Sequence, residues 1–138
     1  MAKQELKLKT ADSEKITINL GPIDLGQIDL LVQEGFYSNR TDLIRTAIRN
    51  QLNQHADVVK QTVARKSLVL GMQHYTRADL EAIRAAGERL HIQVLGLASI
   101  ASDVTVELAL ATIDSIFVLG SLHASAVLKT ALAPRIHH

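Results

Sequence analysis

The sequence holds no cysteine, and only two phenylalanines and two tyrosines in 138 residues. Without thiols there is no disulfide framework, no thiolate nucleophile and no thiolate metal site. Aromatics make up 3% of a composition that is 47% hydrophobic, so the interior has to be assembled from Leu, Ile, Val and Ala. Long apolar runs are missing too: the longest nearly unbroken one, Val94 to Ile100, is far shorter than the roughly 20 residues that cross a bilayer. The N-terminus is polar, and a soluble cytoplasmic protein is the expectation. Net charge is small as well, at +1, but unevenly spread. Residues 1–66 carry ten Lys/Arg against eight Asp/Glu, and residues 67–138 carry five against six. The modest basic excess therefore sits in the first half, where dimerisation would double it and focus it on one face.

What is present is organised around Lys15 to Gln54. Residues 1–14 mix Lys, Glu, Gln, Thr and Asp with only Leu6 and Leu8 alternating, and read as a flexible arm or weak edge strand. In the six residues that follow, Ile16, Ile18 and Leu20 fall on one face of an extended chain and Lys15, Thr17 and Asn19 on the other. The polar face carries donors and mixed donor/acceptors about 6.8 Å apart. A strand this short needs a partner. Paired with its own copy across a two-fold axis it becomes a two-stranded ribbon that fits the major groove and turns six such side chains toward base edges. The plainer reading is the solvated face of an ordinary edge strand.

Gly21 and Pro22 end the extended segment. From about Asp24 to Glu34, the positions Leu25, Ile28, Leu31 and Val32 keep helical spacing, and Gly35 closes the helix. Phe36 and Tyr37 fall in the turn that follows, where large side chains plug a corner. Asn39-Arg40-Thr41-Asp42 is a helix start, with Asn39 as N-cap and Asp42 as its reciprocal partner. Leu43, Ile44, Ala47, Ile48 and Leu52 then form one apolar stripe while Arg45, Arg49 and Gln54 point elsewhere. The free N–H groups at such a helix start bind phosphate, and Arg40 and Thr41 add side-chain donors there. Residues 55–66 read as a helical extension or linker running to about Ala64 and ending in the basic pair Arg65-Lys66.

The stretch KITINLGPIDLGQIDLLVQEGFYSNRTDLIRTAIRNQL resembles the ribbon-helix-helix family of transcriptional regulators, the Arc/MetJ/CopG type, over about forty residues from Lys15 to Leu52. The six-residue strand and NRTDLIRTAIR are its most specific parts. The resemblance implies an intertwined dimer whose paired strands lie in the major groove, with the second helix presenting its N-terminus to the DNA backbone. Carried onto this sequence, Lys15, Thr17 and Asn19 would read bases while Asn39, Arg40 and Thr41 would clamp phosphates, with Arg45 a weaker candidate. Family strands often have Arg where this chain has Asn19, a departure that argues against guanine-directed binding.

The second half repeats itself. Val69-Leu70-Gly71, Val94-Leu95-Gly96 and Val118-Leu119-Gly120 recur at intervals of 25 and 24 residues. Each is a short strand signal followed by a capped helical segment, opened in turn by Thr76 to Asp79, Asp103 to Val106, and Ser125. The first two helices read as Arg77 to Leu90 and Val106 to Ile113. The expected class is α+β: an N-terminal ribbon-helix-helix dimer, then a small α/β domain of three strand-helix repeats over residues 67–134, paired in parallel through crossovers. With open edges and little polar surface, that domain is expected to associate with copies of itself as a tetramer or larger, or to act as a sensor. The lone glycines suit tight turns, bulges or close strand approach.

Catalytic and metal chemistry find no support in the spacing. His74, His91 and His123 lie 17 and 32 residues apart, which matches no ligand motif, so neither metal nor cofactor is expected. His137-His138 is assigned nothing. Asp103 reads as a cap or turn residue, and no Ser/His/Asp order suggests an enzyme. The sequence-level expectation is a DNA-binding repressor whose partners are a duplex operator and itself. The alternatives are an autoregulating antitoxin, disfavoured by an apolar and repetitive tail, and a self-assembling structural protein whose first half merely dimerises.

Overall fold

The computed structural model of the chain describes residues 13–138. It is an α+β protein with one four-stranded parallel sheet, and it divides between Val59 and Lys60 into two compact units. The arm expected over residues 1–14 lies, apart from its last two residues, outside those described.

In the first unit, residues 13–21 join no strand, and Lys15 through Leu20 are exposed on both faces. Helix α1 (Pro22–Gln33) begins two residues earlier than the apolar spacing indicated, because Pro22 occupies its first turn behind an extended Gly21. Proline is preset for that position, and its missing N–H would have had no helical acceptor there. Gly35, at φ 85°, turns the chain out of the helix through a conformation that a side chain would strain. Helix α2 (Arg40–Gln54) is capped by Asn39, whose side-chain oxygen accepts from the Asp42 N–H at 2.8 Å. The reciprocal bond goes one residue further back than expected, with Asp42 accepting from the Ser38 N–H at 3.0 Å. Helix α3 (Ala56–Arg65) follows after a break at His55, and the division between the units falls within it. No described residue of this unit is buried. Phe36, read as a corner plug, is 70% exposed, because two short helices enclose no corner for it to fill.

The second unit has a core. Strands β1 (Val69–Tyr75), β2 (Leu90–Ile100), β3 (Ile113–His123) and β4 (Ile136–His137) pair in parallel and in chain order. Between them run α4 (Arg77–Ala85), α5 (Val106–Thr112) and α6 (Ala126–Leu132), the last followed by a 3-10 turn at Ala133–Arg135. Sequential parallel strands with crossovers of one hand place every helix on one side of the sheet. Accordingly Leu80 of α4, Leu108 and Ala109 of α5, and Leu128 and Leu132 of α6 form one cluster with Ile92, Val94, Ala98, Ile100 and Ile116. At about 25 cal/mol per Å2 of apolar surface, this layer supplies most of the unit's driving force.

The helix starts anticipated for this half recur with one displacement. Thr76 and Asp79 form a complete capping box and Ser125 caps α6. For α5, however, Thr105 is the cap and Asp103 lies in the preceding turn. The first two helices are shorter than read. Gly87, at φ 69°, stops α4 well before Leu90, and both Leu90 and Ile113 begin strands. The repeats number three, yet the sheet has a fourth strand, since two residues after the 3-10 turn pair Ile136 with Ile116 and His137 with Phe117. Arg135 helps hold that end: its Nη1 donates to the carbonyls of Leu110 and Ile113, both at 2.7 Å.

The recurring tripeptides lie side by side. Val69, Val94 and Val118 are in register, and so are Gly71, Gly96 and Gly120. All three glycines have positive φ, and a Cβ built on Gly96 or Gly120 would overlap the carbonyl of the glycine on the preceding strand. Close strand approach, one of the uses anticipated for them, is therefore their role.

Candidate nucleic-acid interface

Lys15, Thr17 and Asn19 alternate with Ile16, Ile18 and Leu20 in the extended stretch before α1, and every one of these side chains is exposed. Their apolar neighbours are uncovered as well: Ile16 is 76% and Ile18 60% exposed, values that single soluble chains do not normally show along a whole stripe.

The start of α2 brings the other anticipated residues together. Ser38, Asn39, Thr41, Asp42, Arg45 and Arg49 line a shallow polar groove on the surface of the first unit. Thr41, Arg45 and Arg49 are spaced at four-residue intervals, so they form one ridge about 12 Å long on the helix surface. Neither arginine of that ridge has an acidic partner among the described residues. The cap occupies the Asn39 side-chain oxygen and leaves its amide hydrogens outward. Arg45, read from the sequence as a weaker candidate, shares this ridge with Arg49, which the sequence reading did not single out. Its signal was the i, i+4 repeat from Thr41, which the apolar stripe beside it overshadowed.

Arg40 is engaged differently. Its Nε and Nη2 donate to the two carboxylate oxygens of Asp29 on α1, each at 2.8 Å, in a parallel fork. This bond holds the Asp29 carboxyl below its ordinary range and raises Arg40 above its own. The pair braces α1 to α2 and offsets the arginine's charge, leaving the two Nη1 hydrogens and one on Nη2 outside the fork.

Other groups of chemical interest fall in the second unit. His74 and His123 share one row across the sheet with Ser99 between them, and the His74 Nδ1 lies 2.6 Å from the Ser99 Oγ. His91 is near the opposite end of β2, its Nδ1 2.8 Å from the Ser115 Oγ. Glu107 pairs with Arg84 and Asp114 with Arg89, each at 3.3 Å. Among the described residues no group of three His, Asp or Glu could hold a metal ion. None of their helices is long and apolar enough to cross a membrane.

Neither a curated protein nor a solved structure gives a match to this chain. The model of the Ribbon-Helix-Helix transcriptional regulator family matches residues 11–129. The match runs well beyond the forty residues that carry the visible resemblance and takes in most of the repeats. With most of its length so matched, the chain belongs to the ribbon-helix-helix transcriptional regulator family.

Proposed function

We propose that the protein is a sequence-specific DNA-binding repressor whose first unit is completed by a second chain. The observation that carries this reading is the absence of any buried residue among the described residues of that unit, despite a full set of apolar side chains in strand and helix register. Intertwining two copies covers Ile16, Ile18 and Leu20 against the helices, pairs the two extended stretches, and leaves Lys15, Thr17 and Asn19 of both chains facing the major groove. In this arrangement residues 15–54 bind DNA, residues 55–66 connect, and residues 67–134 assemble further.

Phosphate contact begins at the start of α2 with Asn39, Arg40 and Thr41 and continues along Arg45 and Arg49. Arg40 offers a hydrogen-bond donor but little net charge, because Asp29 neutralises it. Arg45 and Arg49 supply the charge, and with it the salt dependence.

Selection from a random DNA pool, followed by anisotropy titrations of the selected and a scrambled duplex between 50 and 200 mM salt, tests this. Thr17→Ala or Asn19→Ala is expected to cost about 1 to 3 kcal/mol on the selected site and little on the scrambled one. Arg45→Gln and Arg49→Gln are expected to weaken both duplexes alike and each to lower the salt slope by about 1. Absence of duplex binding at 50 mM salt would end the repressor reading in favour of a purely assembling protein.

A further inference from the structure

The helices of the second unit cover one side of its sheet, and by strand alternation the other side carries Leu70, Met72, Leu95, Leu97, Phe117 and Leu119. Leu70 and Met72 are 67% and 68% exposed, and Leu119 is 42% exposed. Register sets Leu70, Leu95 and Leu119 in one row and Met72 beside Leu97 in the next, so the apolar groups are contiguous. Parallel sheets are almost always covered on both faces, and a patch of this kind marks an interface.

We propose that this face docks on the same face of a second copy of the chain across a two-fold axis. Charge singles out that occupant. Apart from Asp114 at the irregular start of β3, the outward positions of β1, β2 and β3 include no Lys, Arg, Asp or Glu, and their polar groups are Ser, Gln and His. Charge enters at the border, where the Lys66 ammonium sits 5.8 Å from the centroid of the Phe117 ring and where Asp114, 3.7 Å from His91, is paired with Arg89. A two-fold axis sets a surface against its own likeness, which a neutral apolar face tolerates and a charged one does not. Residues 1–12 of the chain, with three Lys, one Glu and one Asp, would have to leave those charges on apolar surface to fill the same place.

Size agrees. Two strands of 11 residues and one of 7 give a projected area of about 450 Å2 per copy, more once side-chain relief is included. Specific interfaces bury roughly 800 Å2 per partner, so the pairing is weak for free units and firm for tethered ones. The tether rests on the dimer proposed for the first unit, which would hold the sheets at an effective concentration of the order of millimolar.

The experiment uses the full-length chain, in which an introduced cysteine is the sole thiol. Leu97→Cys and Leu119→Cys place it on the face, and Ala82→Cys on exposed surface of α4 is the reference. In purified protein with unchanged circular dichroism, the thiols at 97 and 119 are expected to react with a maleimide at least tenfold more slowly than the thiol at 82. A short bis-maleimide is expected to link chains in pairs through residue 97, doubling the mass on a denaturing gel. Equal rates at the three positions overturn the proposal, since the face is then open. Slow reaction without linked pairs overturns it too, since the cover is then not a second copy. Should the face variants not fold, peroxide oxidation of Met72 in the unaltered protein decides: several-fold slower than in guanidinium supports the proposal, and an equal rate overturns it. DNA binding is measured on the same samples. Pairing through residue 97 by a protein that ignores duplex DNA would remove the repressor reading and leave this one, and the converse result would do the opposite.

Discussion

The two units of this chain use similar residues to opposite ends. From Lys60 onward, helices and strands close on each other, and residues such as Ile92, Val94, Ile113 and Ile116 lose all contact with solvent. Before Val59 the same kinds of side chain, Ile16, Ile18, Ile23, Leu30 and Ile48, remain 46% to 76% exposed. The difference lies in how many layers each segment supplies. A sheet backed by three helices encloses a core within one chain, whereas two helices and a single extended stretch make half of one. Apolar content alone therefore says that a segment will bury itself, not in which chain its cover lies.

The largest effect should come from the second unit. Gly96→Val puts a branched side chain where the Gly71 carbonyl sits and forces a positive φ on it. A loss of the order of 4 kcal/mol or more is expected, read as collapse of the sheet's thermal transition. If the variant melts like the parent, the close strand approach is not needed for stability. Next, Ile18→Asp should leave the sheet's transition in place and abolish the dimer proposed for the first unit, at about 2 to 4 kcal/mol for a charge forced into the apolar seam that dimer would have. Sedimentation of a chain lacking the second unit is a poor check, so the full chain is followed by amide exchange at residues 22–54. Unchanged protection there would mean that the first unit needs no partner.

Paired cap deletions sharpen the comparison at lower amplitude. Thr76→Ala removes the cap of α4 and should cost about 1 kcal/mol, with a midpoint that moves on dilution only as far as the weak pairing of the sheet faces carries it. Asn39→Ala removes an equivalent cap from α2 and should cost about the same, but with a midpoint that moves with dilution as a dimer's does. Identical concentration dependence of the two would erase the distinction between the units.

The smallest effect is that of pH. Asp79 is held below its ordinary range chiefly by the Thr76 backbone N–H and then by the Thr76 side chain, and Asp29 by Arg40. A depressed carboxylate adds stability that is complete above its unfolded value of 3.8 and fades as pH falls through and below that value. Both groups being open to solvent, Asp29 by about half, the change is slight. Asp79→Asn should flatten the acid limb for the second unit and Asp29→Asn for the first, as followed by thermal melts between pH 5 and 2.5.

Much of this architecture is legible in the residues because it depends on local pattern. The threefold Val-Leu-Gly spacing points to parallel strands in register, and Thr76-Arg77-Ala78-Asp79 spells out a cap that needs nothing distant. The misread boundaries have local causes as well. Gly87 stops a helix that the apolar spacing would carry to Leu90, and Pro22 starts one sooner than Asp24 indicates. What stays hidden is whatever joins residues far apart in the chain. The fork between Arg40 and Asp29 spans 11 positions and carries no periodic signal. The two-residue strand at Ile136 is too short to alternate, and its place is set by Arg135 reaching back to Leu110 and Ile113. For the interface proposed with DNA, the polar stripe of Lys15, Thr17 and Asn19 was plain at once. The ridge through Arg45 and Arg49 emerges only once the helix start is built around it.

The aligned glycines also constrain how such a chain can change over generations. Gly71 leaves Gly96, and Gly96 leaves Gly120, no room for even a methyl group, so those two positions cannot drift one by one as surface residues do. A lineage that lengthens the array by copying a module must copy the glycine at the same offset, or the new strand will not seat against the old edge.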